Sequence, residues 1–311
     1  LKTFAHIDEY DITSGSVVTI GTFDGVHQGH QKILKRVVKT AQQHQLTSLL
    51  LTFFPHPRMV LQPDHELKLI NTIDERVSLV ANQGIDNIVI HPFSKEFSRT
   101  SASDYVQHIL VERLKAKVVV IGYDHRFGIN RSASILELKA FGQEFGFEVV
   151  EISKKEVEEV AVSSTKVRNS LSHGDIQVTN TYLNRDFSIQ GKVVSGKKIG
   201  RTIGYPTANL HVPETYKMLP ATGVYITSSI IGGHRVYGMT NIGNNPTVAS
   251  SSKQTIETYY LNREDDLYGQ QMELFFHKRL RDEKKFDSMD ELIAAMKLDE
   301  QETKAYAQHL G

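Results

Sequence analysis

The apolar pattern of this chain changes period near residue 185, and no other feature limits its possible folds as much. Before that point, short apolar or β-branched runs recur at 17–20, 49–54, 88–90, 118–121 and 149–152. Helical patterns fill the gaps. Ile33, Leu34, Val37, Val38 and Ala41 share one face at 3.6 periodicity, as do Val106, Ile109, Leu110 and Leu114 after the cap candidates Ser101 and Ser103. Continuous apolar strands alternating with helices predict a doubly wound α/β domain whose parallel sheet is covered on both faces. After 185 the runs at 189–194, 223–231, 235–242, 255–261 and 271–276 are β-branched or aromatic and separated by turn signals. That pattern predicts a small antiparallel β-barrel or sandwich, and residues 289–309 return to helical spacing. The expected domains are therefore 1–185 and 186–311.

The length of 311 residues agrees with about two domains at roughly 150 residues each. The 36 basic and 36 acidic residues cancel, and they do so within each half, 21 against 21 and then 15 against 15. Neither half is an electrostatic footprint for nucleic acid or an anionic membrane. Any anion must be bound by a few placed groups. Zero cysteine excludes disulfides, thiolate metal sites and thiol nucleophiles, and it suits a cytoplasmic protein. No apolar run is long enough to span a bilayer, and the start Leu1-Lys2-Thr3-Phe4-Ala5-His6 has no signal-peptide pattern. Opening on Leu1 instead of Met points to a trimmed start.

The first strand runs into Gly21-Thr22-Phe23-Asp24-Gly25-Val26-His27-Gln28-Gly29-His30, after which a helix begins. Ligands of open parallel sheets bind beyond the carboxyl ends of the strands, and a helix start offers free N–H groups to phosphate. His27 and His30 lie three apart, so both imidazoles can face one phosphate. His-x-x-His can also chelate a metal, which would need a third protein ligand. An ordinary Gly-rich turn with two surface histidines is the plain alternative.

This block resembles the His-x-Gly-His signature of the nucleotidylyltransferase superfamily, in the Gly-x-Phe-Asp-Gly-x-His-x-Gly-His form of FMN adenylyltransferases. Three more blocks agree in order. Thr52-Phe53-Phe54-Pro55-His56-Pro57 is similar to the family's flavin-side loop. Gly122-Tyr123-Asp124-His125-Arg126-Phe127-Gly128 matches Gly-x-Asp/Asn-Phe-x-Phe-Gly, and Val162-Ser163-Ser164-Thr165-Lys166-Val167-Arg168 resembles the block that closes over the triphosphate. The resemblance implies adenylyl transfer from ATP to FMN, with His27 and His30 catalytic. It implies nucleotide contacts at Gly21, Phe23, Asp24, Gly29, Ser163, Ser164, Thr165 and Arg168, and flavin contacts at Phe54, Pro55, Pro57, Asp124, Arg126 and Phe127. Ala133 stands where the family usually has Gly, so a loop requiring φ > 0 there must differ locally.

In the second half, Gly196-Lys197-Lys198-Ile199-Gly200-Arg201 forms a glycine and basic loop that can arch over phosphates, ahead of Gly204-Tyr205-Pro206-Thr207-Ala208-Asn209. In extended chain Thr207 and Asn209 face the same way, and oxygen ligands of this kind suit Mg²⁺. Together these pieces resemble the riboflavin kinase domain, and Gly223-Val224-Tyr225, Thr240-Asn241-Ile242-Gly243, Asn245-Pro246-Thr247, Glu257, Leu267-Tyr268-Gly269 and Arg279-Leu280-Arg281-Asp282-Glu283 follow in order. The resemblance implies that Glu257 is the general base on the riboflavin 5′-hydroxyl. Gly196, Lys197, Gly200, Arg201, Thr207 and Asn209 would then hold MgATP, with Arg281 and Glu283 near the flavin. Thr258-Tyr259 and Asn262-Arg263 depart from the family's Val-His and acidic residues, which should alter the flavin-side rim. Lys278, Arg279, Lys284 and Lys285 are interrupted by Asp282, Glu283 and Asp287, which suits a pocket rim better than a nucleic-acid patch. The whole chain is thus similar to the bifunctional prokaryotic riboflavin kinase/FMN adenylyltransferase family. The expected small molecules are ATP, riboflavin, FMN and FAD, with Mg²⁺. A kinase lacking the second activity, or a binder without turnover, are the rival readings.

Overall fold

The computed structural model describes residues 1–153, 156, 162–196, 199–245, 253–263 and 266–309. By packing, the chain divides into two units, Leu1–Ser164 and Thr165–Gly311. The division falls earlier than the change of period. The helices at 164–183 carry few strand-like signals, yet their bonds go to the second unit. The Ala221 N–H donates to the Leu171 carbonyl and the Phe187 N–H to Asn180 Oδ1.

The first unit holds β1 (Lys2–Phe4), β2 (Ser16–Ile20), α1 (Gln28–His44), β3 (Thr47–Phe53), α2 (Pro57–Leu61), α3 (Ile73–Ala81), β4 (Asn87–His91), α4 (Ala102–Asp104), β5 (Ala116–Gly122), α5 (Ile135–Phe145) and β6 (Glu148–Ile152). The six strands form one parallel sheet in the order β1-β4-β3-β2-β5-β6. Its strands read as unbroken apolar runs because both faces are buried. Val18, Leu49, Leu51 and Val119 belong to the core on one face, and Val17, Leu50, Ile88 and Val120 to the core on the other. The doubly wound α/β expectation is met.

Three local features differ from the sequence reading. The stretch after α4, Tyr105–Arg113, is wound as a π-helix, although its apolar spacing also fits 3.6. It ends with Leu114 N–H donating to Ile109 O, five residues back. Of the two cap candidates, Ser101 accepts from the Asp104 N–H, whereas Ser103 lies inside the helix. The three-residue β1, too short to show an alternation, pairs with β4 at the sheet edge.

The second unit opens with α6 (Ser164–His173) and α7 (Ile176–Leu183). It continues as β7 (Phe187–Val194), α8 (Ile199–Thr202), β8 (Ala208–His211), β9 (Gly223–Ile231), β10 (His234–Asn245), β11 (Lys253–Tyr260), β12 (Gln271–Arg281) and α9 (Met289–Gln308). The strands close an antiparallel barrel in the order β10-β11-β8-β7-β12-β9, as the second-half pattern predicts. Closure removes the exposed sheet edges that so many short strands would otherwise present. A file of buried hydroxyls ties three strands together: Thr227, Thr240 and Thr258 are linked Oγ1 to Oγ1 at 2.7 and 2.8 Å. α9 is capped by Ser288, which accepts from the Glu291 N–H, and packs beside β10.

Candidate functional sites

In the sheet order, the connection from β2 leads to one side and that from β5 to the other, so the crevice of the first unit opens between the ends of β2 and β5. The loops that leave those two strands are 21–27 and 123–134. Phe23 at φ 48°, Gly25 at φ 91° and Val26 at φ 40° turn the first loop sharply. Left-handed backbone at a Phe and a β-branched Val costs on the order of 1–3 kcal/mol each, so something must hold it. Asp24 supplies that anchor. It is fully buried, its carboxylate accepts from the N–H groups of Ile70 and Asn71 at 3.0 and 3.3 Å, and Arg76 of α3, also fully buried, lies 3.8 Å away. Asp24 was expected at the nucleotide. It sits beneath the loop, where its bonds hold the turn.

The turn delivers His27 to the N-cap of α1. Its Nδ1 accepts from the His30 N–H at a long 3.4 Å, and a neutral ring whose Nδ1 accepts carries its proton on Nε2. The His27 and His30 rings stack with centroids 3.6 Å apart and 18° between planes, and Phe23 tilts against His30 at 4.8 Å. Gly29 permits the stack, because a Cβ there would come within 3.2 Å of the His27 ring. Gly21 likewise leaves room for the Phe23 ring, 3.0 Å from where its Cβ would stand. Ser164 is tied to this turn, its Oγ donating to the Asp24 carbonyl at 2.8 Å. It also begins α6, with Ser163 just before it, Thr165 next, and Arg168 one turn on along the same face. Two imidazoles and a helix start are thus present. Among the described residues no group of three His, Cys, Asp or Glu side chains suits a metal ion.

Phe54, Pro55 and Pro57 follow β3, with His56 capping α2 by accepting from the Arg58 N–H. After β5, Asp124 and Arg126 are exposed, whereas Phe127 is buried and packs on Tyr105 at 5.8 Å. Phe127 also pairs its backbone with Ala133, N–H to carbonyl in both directions at 3.1 Å. In this loop the left-handed positions are Gly128, Asn130 and Arg131, so Ala133 needs no positive φ and its methyl is buried in the core. The departure from Gly is absorbed by its neighbours.

In the barrel, Glu257 on β11 lies in register with Asn209 of β8 and Asn241 of β10. Thr207 Oγ1 donates to Glu257 Oε2 at 3.4 Å. A cavity of about 270 Å³ opens here, its walls mixing apolar Val224, Met239, Tyr259 and Met296 with polar Asn241, Glu257, Glu283 and Asp299. A second, of about 600 Å³, is lined by Arg201, Pro206, Ala208, Tyr260, Leu267 and Tyr268. Thr207 belongs to the walls of both. Gly196 leaves room for Asn209, since a Cβ there would overlap the Asn209 amide. Gly200 faces the Tyr205 carbonyl so closely that no side chain fits. Lys197 and Lys198, and the Pro246 and Thr247 of a quoted block, lie outside the described residues.

Arg281 lines the first cavity, but its guanidinium is held in a bidentate pair by Asp299 of α9, 2.8 Å at the closer contact, with Phe286 against its face. Glu283 lies over Gly243, next to Asn241. Of the residues that depart from the family pattern, Thr258 bonds Thr240, Tyr259 lines the first cavity, and Arg263 lines the second instead of the expected rim. Tyr205 packs edge-on against Tyr259 at 4.9 Å and donates to Glu300, and burial together with that carboxylate pushes its hydroxyl up to about 12. Sequence reasoning missed Asp299 and Met296 as cavity residues. They sit on a helix whose local pattern carries no sign of what it faces. Asn241, by contrast, stood within a quoted block and could have been singled out.

A family model described as FAD synthetase matches residues 10–166, and one described as riboflavin kinase matches 183–307. A bifunctional riboflavin kinase/FMN adenylyltransferase of Buchnera aphidicola subsp. Acyrthosiphon pisum is 36% identical over 91% of this chain and 90% of its own. The protein of that description from Escherichia coli K12 is 34% identical over 92% and 91%. A solved structure from Streptococcus pneumoniae, described as a macrolide-efflux protein, superposes with a TM-score of 0.88 at 30% identity, covering 97% of this chain and 98% of that one. Among the described residues here no helix is long and apolar enough to cross a membrane.

Proposed function

Because the chain belongs to the bifunctional riboflavin kinase/FMN adenylyltransferase family, we propose that its two reactions divide between the two sites described above. The enzyme phosphorylates riboflavin with ATP to give FMN and ADP, and adenylylates FMN with ATP to give FAD and pyrophosphate. The adenylyl site belongs to residues 1–185 and the kinase site to 186–311.

In the barrel, riboflavin occupies the cavity that contains Glu257, and ATP the cavity that contains Arg201. Glu257 takes the proton of the 5′-hydroxyl as that oxygen attacks the γ-phosphorus and ADP leaves. A primary alcohol is a poor nucleophile until its proton has somewhere to go. Thr207 and Asn209 would hold Mg²⁺ by neutral oxygens, with nucleotide oxygens and water completing the shell. This donor set fits a hard cation that keeps several waters. The ion would neutralise charge on the transferring phosphoryl group. Gly196, Lys197 and Gly200 contribute the loop over the phosphates, and Glu283 with the Arg281–Asp299 pair borders the flavin.

In the sheet unit, a phosphate oxygen of FMN attacks the α-phosphorus of ATP in line, the bond to the bridging oxygen breaks, and pyrophosphate leaves. His27, with its Nε2 proton, and His30 stabilise charge on the phosphorus oxygens. Ser163, Ser164, Thr165 and Arg168 take the triphosphate, and Phe54, Pro55, Pro57, Asp124 and Arg126 border the flavin. Positioning and charge stabilisation carry the step, because little covalent work falls to the protein. We infer a cytoplasmic place for this ATP-consuming, cysteine-free enzyme.

The observation that carries the reading is the meeting of two cavities at Thr207 beside Glu257. Incubation with riboflavin and MgATP, with chromatographic resolution of the flavins, tests it. FAD is the expected end product. FMN alone would reduce the chain to a kinase, and unchanged riboflavin would leave a binder.

A further inference from the structure

Thr207 stands in the walls of both barrel cavities, yet its bond to Glu257 is 3.4 Å long, too long for a hydroxyl donor to be fixed by it alone. Pro206, just before it, has no N–H to donate. The segment is held from either side. Downstream, Ala208 of β8 pairs with Thr258 of β11. Upstream, Tyr205 is buried and its N–H donates to the Gly200 carbonyl at 2.8 Å. Its hydroxyl reaches across to α9 and donates to Glu300 Oε2 at 3.0 Å.

Glu300 is itself restrained. Its other oxygen, Oε1, meets the Lys304 ammonium one turn on at 2.6 Å, so both oxygens are engaged. The residue before it, Asp299, takes the Arg281 guanidinium of β12, and Met296, one turn earlier, lines the cavity of Glu257. One stretch of α9 therefore grips two segments that wall this cavity, β12 through Asp299 and the run into Thr207 through Glu300. The Tyr205 ring also packs edge-on against Tyr259 of the cavity wall. We propose that Glu300 is a positioning residue for the phosphoryl transfer: it lies outside the linings of both cavities, and through the Tyr205 hydroxyl it sets where Thr207 stands beside Glu257. A shift of about 1 Å at a reacting centre can cost about a hundredfold in rate, so a bond remote from the chemistry can govern kcat. This inference rests on reading the two barrel cavities as the kinase site.

The test is steady-state phosphorylation of riboflavin by the full chain with MgATP, with adenylylation of supplied FMN and thermal unfolding measured alongside. Tyr205→Phe keeps the ring and removes only the hydroxyl. It should lower kcat for FMN formation about tenfold, with KM for riboflavin within about twofold and adenylylation unchanged. Glu300→Leu should do the same, and the double variant should be no slower than either single one, because both changes remove one bond. Glu300→Gln keeps an acceptor oxygen for the hydroxyl and should recover most of the rate. Lys304→Ala leaves the Tyr205 bond in place and should phosphorylate at the native rate. If Glu300→Leu fails to fold, Tyr205→Phe with Glu300→Gln decides the question. A native kcat in Tyr205→Phe with a lowered unfolding temperature overturns the proposal, since the bond would then only stabilise the fold. Losses that multiply in the double variant, or a change confined to KM for riboflavin, overturn it as well. A native chain that forms no FMN removes the kinase reading itself, whereas a native chain that forms FMN beside an unimpaired Tyr205→Phe removes this inference alone.

Discussion

His27 and Glu257, the two residues proposed as catalytic, show how much a side chain's chemistry depends on its neighbours. His27 becomes a directed donor because the His30 N–H occupies its Nδ1 and Gly29 leaves room for its ring. Glu257 sits among hydroxyl and amide groups of two other chain segments, Thr207 with Asn209 and Asn241. If each serves one reaction, their losses separate. Glu257→Gln should lower FMN formation by at least about a hundredfold while supplied FMN is still adenylylated. His27→Ala should lower FAD formation by about as much and leave riboflavin phosphorylation intact. Loss of both activities in either folded variant would refute the two-site assignment. His27 stands in a sequence block whose spacing is distinctive, whereas Glu257 was singled out only through the resemblance carried by the blocks around it. Asp24 was legible as part of the His27 block, while its bonds were not. Nothing local says that its carboxylate turns inward to backbone N–H groups some 46 positions along the chain.

At the scale of an element, glycines decide where neighbouring side chains can lie. Gly196 follows β7 and has no positive φ, so alanine there is permitted by the backbone and resisted only by Asn209. Gly196→Ala should therefore fold and displace the Asn209 amide. The expected signature is a rise of about tenfold in KM for MgATP in the kinase reaction, with riboflavin affinity and adenylyl transfer unchanged. An unaltered KM would remove Asn209 from the ion's shell. β7 and β9 to β12 were readable as β-branched or aromatic runs bounded by turn signals, while β1 and β8, of three and four residues, are too short to show such a run. The π-wound stretch was unreadable for another reason. A row of apolar residues at spacings of three and four serves either winding, and packing selects between them.

At the scale of the molecule, two histidines give the first unit a pH response. His91 and His125 are both held down at about 4, mainly by burial. Between the ordinary histidine range and about pH 4 the unfolded chain takes up protons that the native state refuses, so stability falls as pH falls. Denaturant unfolding of the first unit should lose on the order of 2 kcal/mol from about pH 7 to about pH 4.5. The first unit's carboxylates Glu137 and Glu156, lowered chiefly by hydrogen bonds from Ser134 and Ser153, act only in the more acid window below their ordinary value. His91→Phe should flatten the upper part of the curve. A midpoint that does not move between those pH values in the native chain would contradict the burial of both rings.

The sequence alone determined the two architectures, because the period of apolar residues is set by which faces an element must bury, and that information is local. It also offered the blocks to which chemistry is assigned by resemblance, since phosphate-binding turns need glycine and donors at short fixed spacings. Only the tertiary structure decided what those residues do to one another. Asp24 anchors a turn, Arg281 is held by a helix that arrives later in the chain, and Thr207 stands in the walls of two cavities. Each of these depends on a partner distant in sequence. Strand register and helix packing make such pairs, and no local pattern records them.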